Sequence, residues 1–175
     1  YSMDLTLSGS VEMVPPANLK VTTSDDYSSR YEYKAFKGHG LNGDRHDTSS
    51  KNMWLSNGGV SGEWLKVDLN GTYELSHLRV WNYNESGNSL KRGIKLADLY
   101  VAATDPGVNI DDSRANFNAT GWTRILDNQS FAKSPGGSIS NTDPGIGLGA
   151  VSAAFLAIKV ESNHGGDNYV GLSEA

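Results

Sequence analysis

Apolar residues in this chain recur at every second position over short runs, and long polar, glycine-rich stretches separate the runs. From Trp64 to Leu69, Leu65, Val67 and Leu69 fall on one side and Lys66 and Asp68 on the other, the period of a half-buried strand. Leu78 to Asn82 repeats the pattern, which puts Leu78 and Val80 on the core side and turns Arg79 and Trp81 away. Leu99 with Val101, the run from Gly121 to Leu126, and the run from Ala154 to Val160 add further strands. In the last of these, Leu156, Ile158 and Val160 oppose Lys159. Leu19 to Thr22 reads as a short strand, Ser24 to Ser29 as a turn, and Asn70-Gly71 as a turn closing the Trp64 strand. Leu5, Leu7 and Val11 alternate ahead of Pro15-Pro16, so residues 1–18 form an edge strand or a linker. Gly171-Leu-Ser-Glu174 would start one more strand. Several antiparallel strands joined by wide loops predict an all-β fold, an antiparallel β-sandwich or jelly roll. At 175 residues, with no internal repeat, the chain reads as one domain over 1–175.

Composition narrows the function classes. The net charge of −5 argues against nucleic acid as a partner and makes an anionic membrane surface a poor one, since both need a positive field. No cysteine is present, which removes disulfides and thiolate metal sites. No apolar run reaches membrane-spanning length. The start at Tyr1-Ser-Met-Asp has neither a basic segment nor an apolar one, and the abrupt stop at Gly171-Leu-Ser-Glu-Ala175 suggests a module cut from a longer protein.

Several motifs lead nowhere. Gly38-His-Gly-Leu-Asn-Gly43 has dinucleotide-loop spacing, but Asp44-Arg-His-Asp-Thr follows it instead of an amphipathic helix. His39, His46, Asp44 and Asp47 fit no familiar zinc spacing. Gly171-Leu-Ser173 lacks the last glycine of a nucleophile elbow. The pairs Asp25-Asp26 and Asp111-Asp112 are adjacent, so an extended backbone aims them apart and neither reads as a glycosidase dyad.

What remains is an ordered series of pieces: Lys34-Ala-Phe-Lys-Gly38, Trp54, Trp64-Leu-Lys-Val-Asp-Leu69, Trp81-Asn-Tyr-Asn-Glu85, Arg92-Gly-Ile-Lys95 and Tyr169-Val-Gly-Leu-Ser-Glu174. Over residues 20 to 175 this series resembles the discoidin-type (coagulation-factor type C) domains, especially the family-32-like carbohydrate-binding modules of bacterial enzymes. The resemblance implies a galactose-binding-domain-like β-sandwich of discoidin topology, with loops at one end converging on a ligand. Those loops would hold Tyr27 and Tyr31, then Trp54 to Gly59 with Asn57, then Asn82 to Arg92, then Asn163 to Tyr169. It also implies a structural calcium. Its ligands would come from the Lys37 backbone, Asn42, Asp44, Asp47, Thr48 and Glu174, although Lys37 stands where the family turn has an aspartate. Calcium wants six to eight oxygens, so the missing carboxylate matters; otherwise these are solvated loop residues.

The expected contacts are Asn82, Tyr83, Asn84, Glu85 and Arg92. Amides and a guanidinium can bridge vicinal hydroxyls, and an aromatic ring can cover the apolar face of a pyranose. Their alternative is a strand end whose asparagines close turns and whose arginine pairs with Glu85 or Asp98. His164, Asp167 and Tyr169 are further contacts, or solvated loop residues. Trp54 either stacks on the sugar or packs beneath the loop. Trp64, Trp81 and Trp122 are read as packing residues. Lys91 beside Arg92 suits an acidic sugar, and a neutral galactose-type unit suits the resemblance equally.

The expected function is a non-catalytic carbohydrate-binding module on a polysaccharide or oligosaccharide. It would be monomeric, secreted or cell-surface and bacterial, and would tether the catalytic domain of its own parent chain. A discoidin domain docking to a protein or a lipid surface is the alternative. A small hydrolase or lyase ranks below it, because no nucleophile–base pair is legible.

Overall fold

Asn70-Gly71 does not reverse the chain. In the computed structural model, which describes residues 12–107, 117, 121–140 and 145–175, the strand begun at Trp64 continues to Leu78. Asn70 takes a left-handed φ of 54°, and the Asp68 carboxylate accepts its N–H at 2.8 Å. Across this kink the register jumps from Asp68 opposite Phe155 to Tyr73 opposite Ala153. A residue pair that favours positive φ has made a bulge, which bends a strand and keeps its pairing, in place of the expected turn. The alternation at Leu5, Leu7 and Val11, the Asp111-Asp112 pair and most of the connection 104–120 lie outside the described residues.

The described strands are β1 (Lys20–Thr23), β2 (Leu41–Asn42), β3 (Arg45–His46), β4 (Trp54–Leu55), β5 (Trp64–Leu78), β6 (Trp81–Asn82), β7 (Ile94–Ala102), β8 (Thr123–Ser130), β9 (Ile139–Ser140), β10 (Ile146–Asn163) and β11 (Gly171–Glu174). They form an antiparallel five-stranded sheet in the order β1-β5-β10-β7-β8, and two three-stranded sheets, β4-β11-β6 and β2-β3-β9. The architecture is therefore the expected all-β antiparallel one.

The main core includes Val67, Leu65, Leu99, Ile158 and Leu156 of the five-stranded sheet together with Trp54, Leu172 and Val170. This is sheet-on-sheet packing, which explains the period-2 alternation of β5 and β10. β7 breaks that period and is buried continuously from Ala97 to Ala102. Its outward-facing Tyr100 lies against the Phe117 ring at 5.0 Å, and Phe117 also meets Trp122 and Trp64. Both faces of this strand are thus covered. Trp64 and Trp122 are packing residues as expected.

Trp81 is a packing residue as expected, but not on the outward side that the alternation from Leu78 gave it. It is buried, and its indole N–H donates to the Asp44 carbonyl at 3.0 Å. The guanidinium of Arg79 lies over its ring. The alternation from Leu78 fails there because β5 ends at Leu78 and β6 belongs to the small sheet, where Trp81 pairs with Glu174. A third cluster of Met53, Leu55 and Tyr83, with Tyr169 packed on it, supports the loops at one end.

Candidate functional site

Backbone hydrogen bonds gather the loops at that end. Tyr27 N–H donates to the Leu55 carbonyl at 2.8 Å and Leu55 N–H to the Arg30 carbonyl at 3.3 Å. Ser56 holds Gly59 and Val170 through its hydroxyl, and Asn168 donates its amide to the Gly58 carbonyl. His164 N–H donates to the Lys91 carbonyl at 3.0 Å. Loops far apart in sequence are thereby fixed on one rigid edge, where recognition groups belong.

Three of the expected sugar contacts are interior residues. Asn82 donates to the carbonyls of Ile94 and Ala132 and accepts the N–H groups of Tyr83 and Ile94. Asn84 donates to the carbonyls of Asp47 and Gly137 and accepts the Ser134 hydroxyl. The Tyr83 ring is fully buried, and only its hydroxyl reaches the site, donating to Glu85 at 2.7 Å. Burial, and then Glu85, push that phenol well above its ordinary range. Trp54 is likewise buried in the core, with its indole N–H on the Asp25 carbonyl. Buried polar groups must be satisfied internally, and the amides of Asn82 and Asn84 are spent on loop carbonyls.

The groups that do converge form a chain of alternating charge. Glu85 accepts Arg30 at 2.9 Å and Arg92 at 3.4 Å. Arg92 in turn holds the Asp167 carboxylate from Nε at 3.0 Å and from Nη2 at 2.7 Å. The Arg92 guanidinium lies 5.2 Å from the centroid of the Tyr169 ring, and Tyr169 meets Tyr27 edge-on at 5.4 Å. Arg30 stands over Tyr27 and also bonds the Tyr83 hydroxyl. Burial alone would raise Glu85, but the Tyr83 hydroxyl and the two guanidinium groups outweigh it and hold its carboxyl below the usual range. Hydrogen bonding to Arg92 holds Asp167 low and raises Arg92 itself. Beside this chain lies an open cleft of about 260 Å³ lined by Asn88, Ser89, Lys91, Arg92, Gly165, Gly166 and Asp167.

The remaining expected contacts divide. Asn57 is exposed, its N–H held by Asp25. Tyr31 is exposed, stacked on Tyr33 and approached by Lys34. His164 instead turns its Nε2 to the Phe131 carbonyl at 3.0 Å, and burial lowers its pKa, so it braces the loop. Arg92 pairs with Glu85 but not with Asp98, which takes Arg124. Arg30 was not legible as a site residue. Its only signal is its place between Tyr27 and Tyr31, more than fifty residues before the partners it meets.

Another carboxyl pair sits nearby. Asp26 neighbours Glu32, and burial, then Glu32, push Asp26 up to about 7.

In the expected calcium region, Asp47 is spent on the loop. Its carboxylate accepts Ser49 N–H at 3.0 Å and the Asn52 amide at 2.7 Å. Asp44 offers its carbonyl to Trp81. Lys37, Asn42 and Thr48 are exposed. Glu174 is different: it is 4 % exposed, and both its oxygens face the Gly38 N–H at 3.0 and 3.1 Å. Among the described residues no lysine, arginine or histidine forms an ion pair with it. Burial pushes its carboxyl up to about 8. A buried carboxylate without a counter-charge fits a cation, so the residue fits the role. Among the described residues no three His, Asp or Glu side chains converge on one point, so backbone carbonyls would have to supply most of the ligands.

The fold is an antiparallel β-sandwich of galactose-binding-like, discoidin topology. Solved carbohydrate-binding modules and lectins share this fold. One is the family-32 module of C. perfringens NanJ in complex with galactose, at TM-score 0.59 and 12% identity over 92% of this chain and 93% of that one. Another is chitosan-binding module 2 from a chitosanase/glucanase of Paenibacillus sp. IK-5 with chitotriose, at 0.55 and 18% identity over 90% and 93%. The lectin domain of lectinolysin complexed with Lewis B antigen matches at 0.59 and 16% identity over 94% and 95%. No protein-family model and no curated protein matches the chain.

Proposed function

We propose that this chain is a non-catalytic carbohydrate-binding module that holds a short glycan segment in the cleft beside Arg92. The carrying observation is the Arg30–Glu85–Arg92–Asp167 chain, which reaches the cleft through Arg92 and Asp167 and meets the Tyr27–Tyr169 pair through Arg92. Ordered acceptors and donors beside an aromatic pair suit a sugar ring with hydroxyls on its edge and C–H groups on its face. At about 260 Å³ the cleft is smaller than the usual drug-sized pocket, which fits one or two rings and weak affinity. Glu85 and Asp167 are both held ionised by arginine, which suits hydrogen-bond acceptance and not proton donation. The exposed large apolar residues among those described are Met13, Tyr27 and Tyr31, a set too sparse for insertion into lipid.

In this reading the module belongs to a secreted or cell-surface bacterial enzyme and raises the effective concentration of its catalytic domain at a polysaccharide. It works as a monomer. A structural calcium sits at Glu174 with carbonyls of the 37–48 loop, and its role is to neutralise that carboxylate and order a loop with few apolar anchors. The test is a glycan array on the isolated domain, with and without a chelator. Hits that share one terminal or repeating sugar are expected. An empty array from a folded domain would overturn the proposal.

A further inference from the structure

The charge chain has an inside and an outside. The side chains of Arg30 and Arg92 are 18% and 21% exposed, Glu85 is 25% exposed and Asp167 is 49% exposed. The cations are underneath, and the outermost group is a carboxylate. The Nε–Nη2 fork of Arg92 is taken by Asp167, and Nη1 faces Glu85.

This placement is built into the loop. Asn163 donates its amide to the carbonyls of Asp167 and Tyr169 and accepts the Gly165 N–H at 2.9 Å. Gly166 lies so close to the next loop that a Cβ there would sit 3.0 Å from the carbonyl carbon of Lys91 and 3.2 Å from the Arg92 nitrogen. The two loops are pressed together, and Asp167 is held opposite Arg92.

Resting on the carbohydrate reading, we infer that Asp167 is the specificity-determining residue of this cleft, admitting sugars that present hydroxyl or ammonium donors and excluding those that carry a carboxylate. A hydroxyl or ammonium donates directly to Asp167 and leaves the Arg92 pair intact. A uronate or sialic-acid carboxylate is repelled by Asp167, the more exposed of the two, and must compete with it for the Arg92 fork. Lys91 is the remaining cation on the cleft wall; it is exposed on a flexible stem, where water and salt screen it.

Asp167→Asn converts this acceptor-only group to a mixed one and leaves Lys91 and Arg92 on the cleft wall with Glu85, among the described residues, as the only carboxylate still paired to Arg92. The test is an array of neutral, amino and carboxylate-bearing glycans, read with the native domain and with Asp167→Asn at low salt. The native domain is expected to retain neutral or amino sugars and to leave the acidic ones. The variant, melting close to the native domain because the side chain is exposed, should gain at least tenfold on acidic glycans and lose that gain in salt. Native binding to acidic glycans would overturn this inference and leave the carbohydrate reading standing. So would a folded Asp167→Asn that gains nothing on them. A native domain that binds no glycan at all would overturn both.

Discussion

Glu174→Gln separates the two roles open to the buried carboxylate, and its size follows from the geometry. The ordinary value for this carboxyl is 4.5, and burial raises it to about 8 in the folded chain. Below 4.5 the group is protonated in both the folded and the unfolded states. Between the two values the folded chain keeps a proton that the unfolded chain gives up. Its contribution to stability is therefore complete below 4.5 and is lost as the pH rises to about 8. At about 1.4 kcal/mol per unit of separation, the loss is at most about 5 kcal/mol. Water reaching the carboxylate as the 37–48 loop relaxes brings this to roughly 2–4 kcal/mol, or about 4–16 °C in Tm for a chain of this length. The assay is thermal melting from pH 5 to 9 in chelator, comparing the native domain with Glu174→Gln. The difference between the two cancels Asp26 and Glu63, whose raised values act in the same direction, and His164, whose lowered value acts in the opposite one. The native domain should lose stability against the variant as the pH rises. Millimolar calcium should restore it above pH 8, and should do nothing for the variant. A native-minus-variant difference that stays flat across the range would refute the reasoning on burial. Restoration of both proteins by calcium would move the metal elsewhere.

Two further predictions concern the packing beneath the cleft. Gly171→Ala places a Cβ 2.4 Å from the Tyr83 ring and 2.6 Å from the Trp54 carbonyl, in the strand pair of β11 with β4. The cost should be about 1–3 kcal/mol or more by melting, with weaker glycan retention because Tyr83 carries Glu85. Native-like stability would show that the small sheet has more slack than its geometry implies. Asn82→Ala removes four hydrogen bonds to backbone groups, three of them buried, so a loss above about 3 kcal/mol is expected in denaturant unfolding. A loss below about 1 kcal/mol would return Asn82 to the surface as a candidate contact.

The strands β5, β7, β8 and β10, the long loops between them and the aromatic–polar segment at Trp81 to Arg92 were legible in the sequence, because alternating apolar runs and turn residues leave local marks; the second covered face of β7 was not. The order of the pieces from Lys34 to Glu174 pointed to the discoidin topology. The burial of Asn82, Tyr83 and Asn84 was not legible. A polar loop residue reads the same whether water or a loop carbonyl satisfies it. The same ambiguity turned Asp47 from an expected calcium ligand into a loop brace, and His164 from a sugar contact into a partner of the Phe131 carbonyl.

Local chemistry along the chain therefore determined which segments form strands and that Asn70 takes a left-handed backbone, though not that the strand runs on through it. It also marked the end of the molecule rich in hydrogen-bonding groups. Only the tertiary structure decided which of those groups meet. Arg30 joins Glu85 across 55 positions, and Arg92 joins Asp167 across 75. The covering of β7 by Phe117 and of Trp81 by the Asp44 loop was also settled there. Alternation reports one covered face of one sheet. A second layer, and the pairing of charges across loops, depend on contacts between segments that share no local signal.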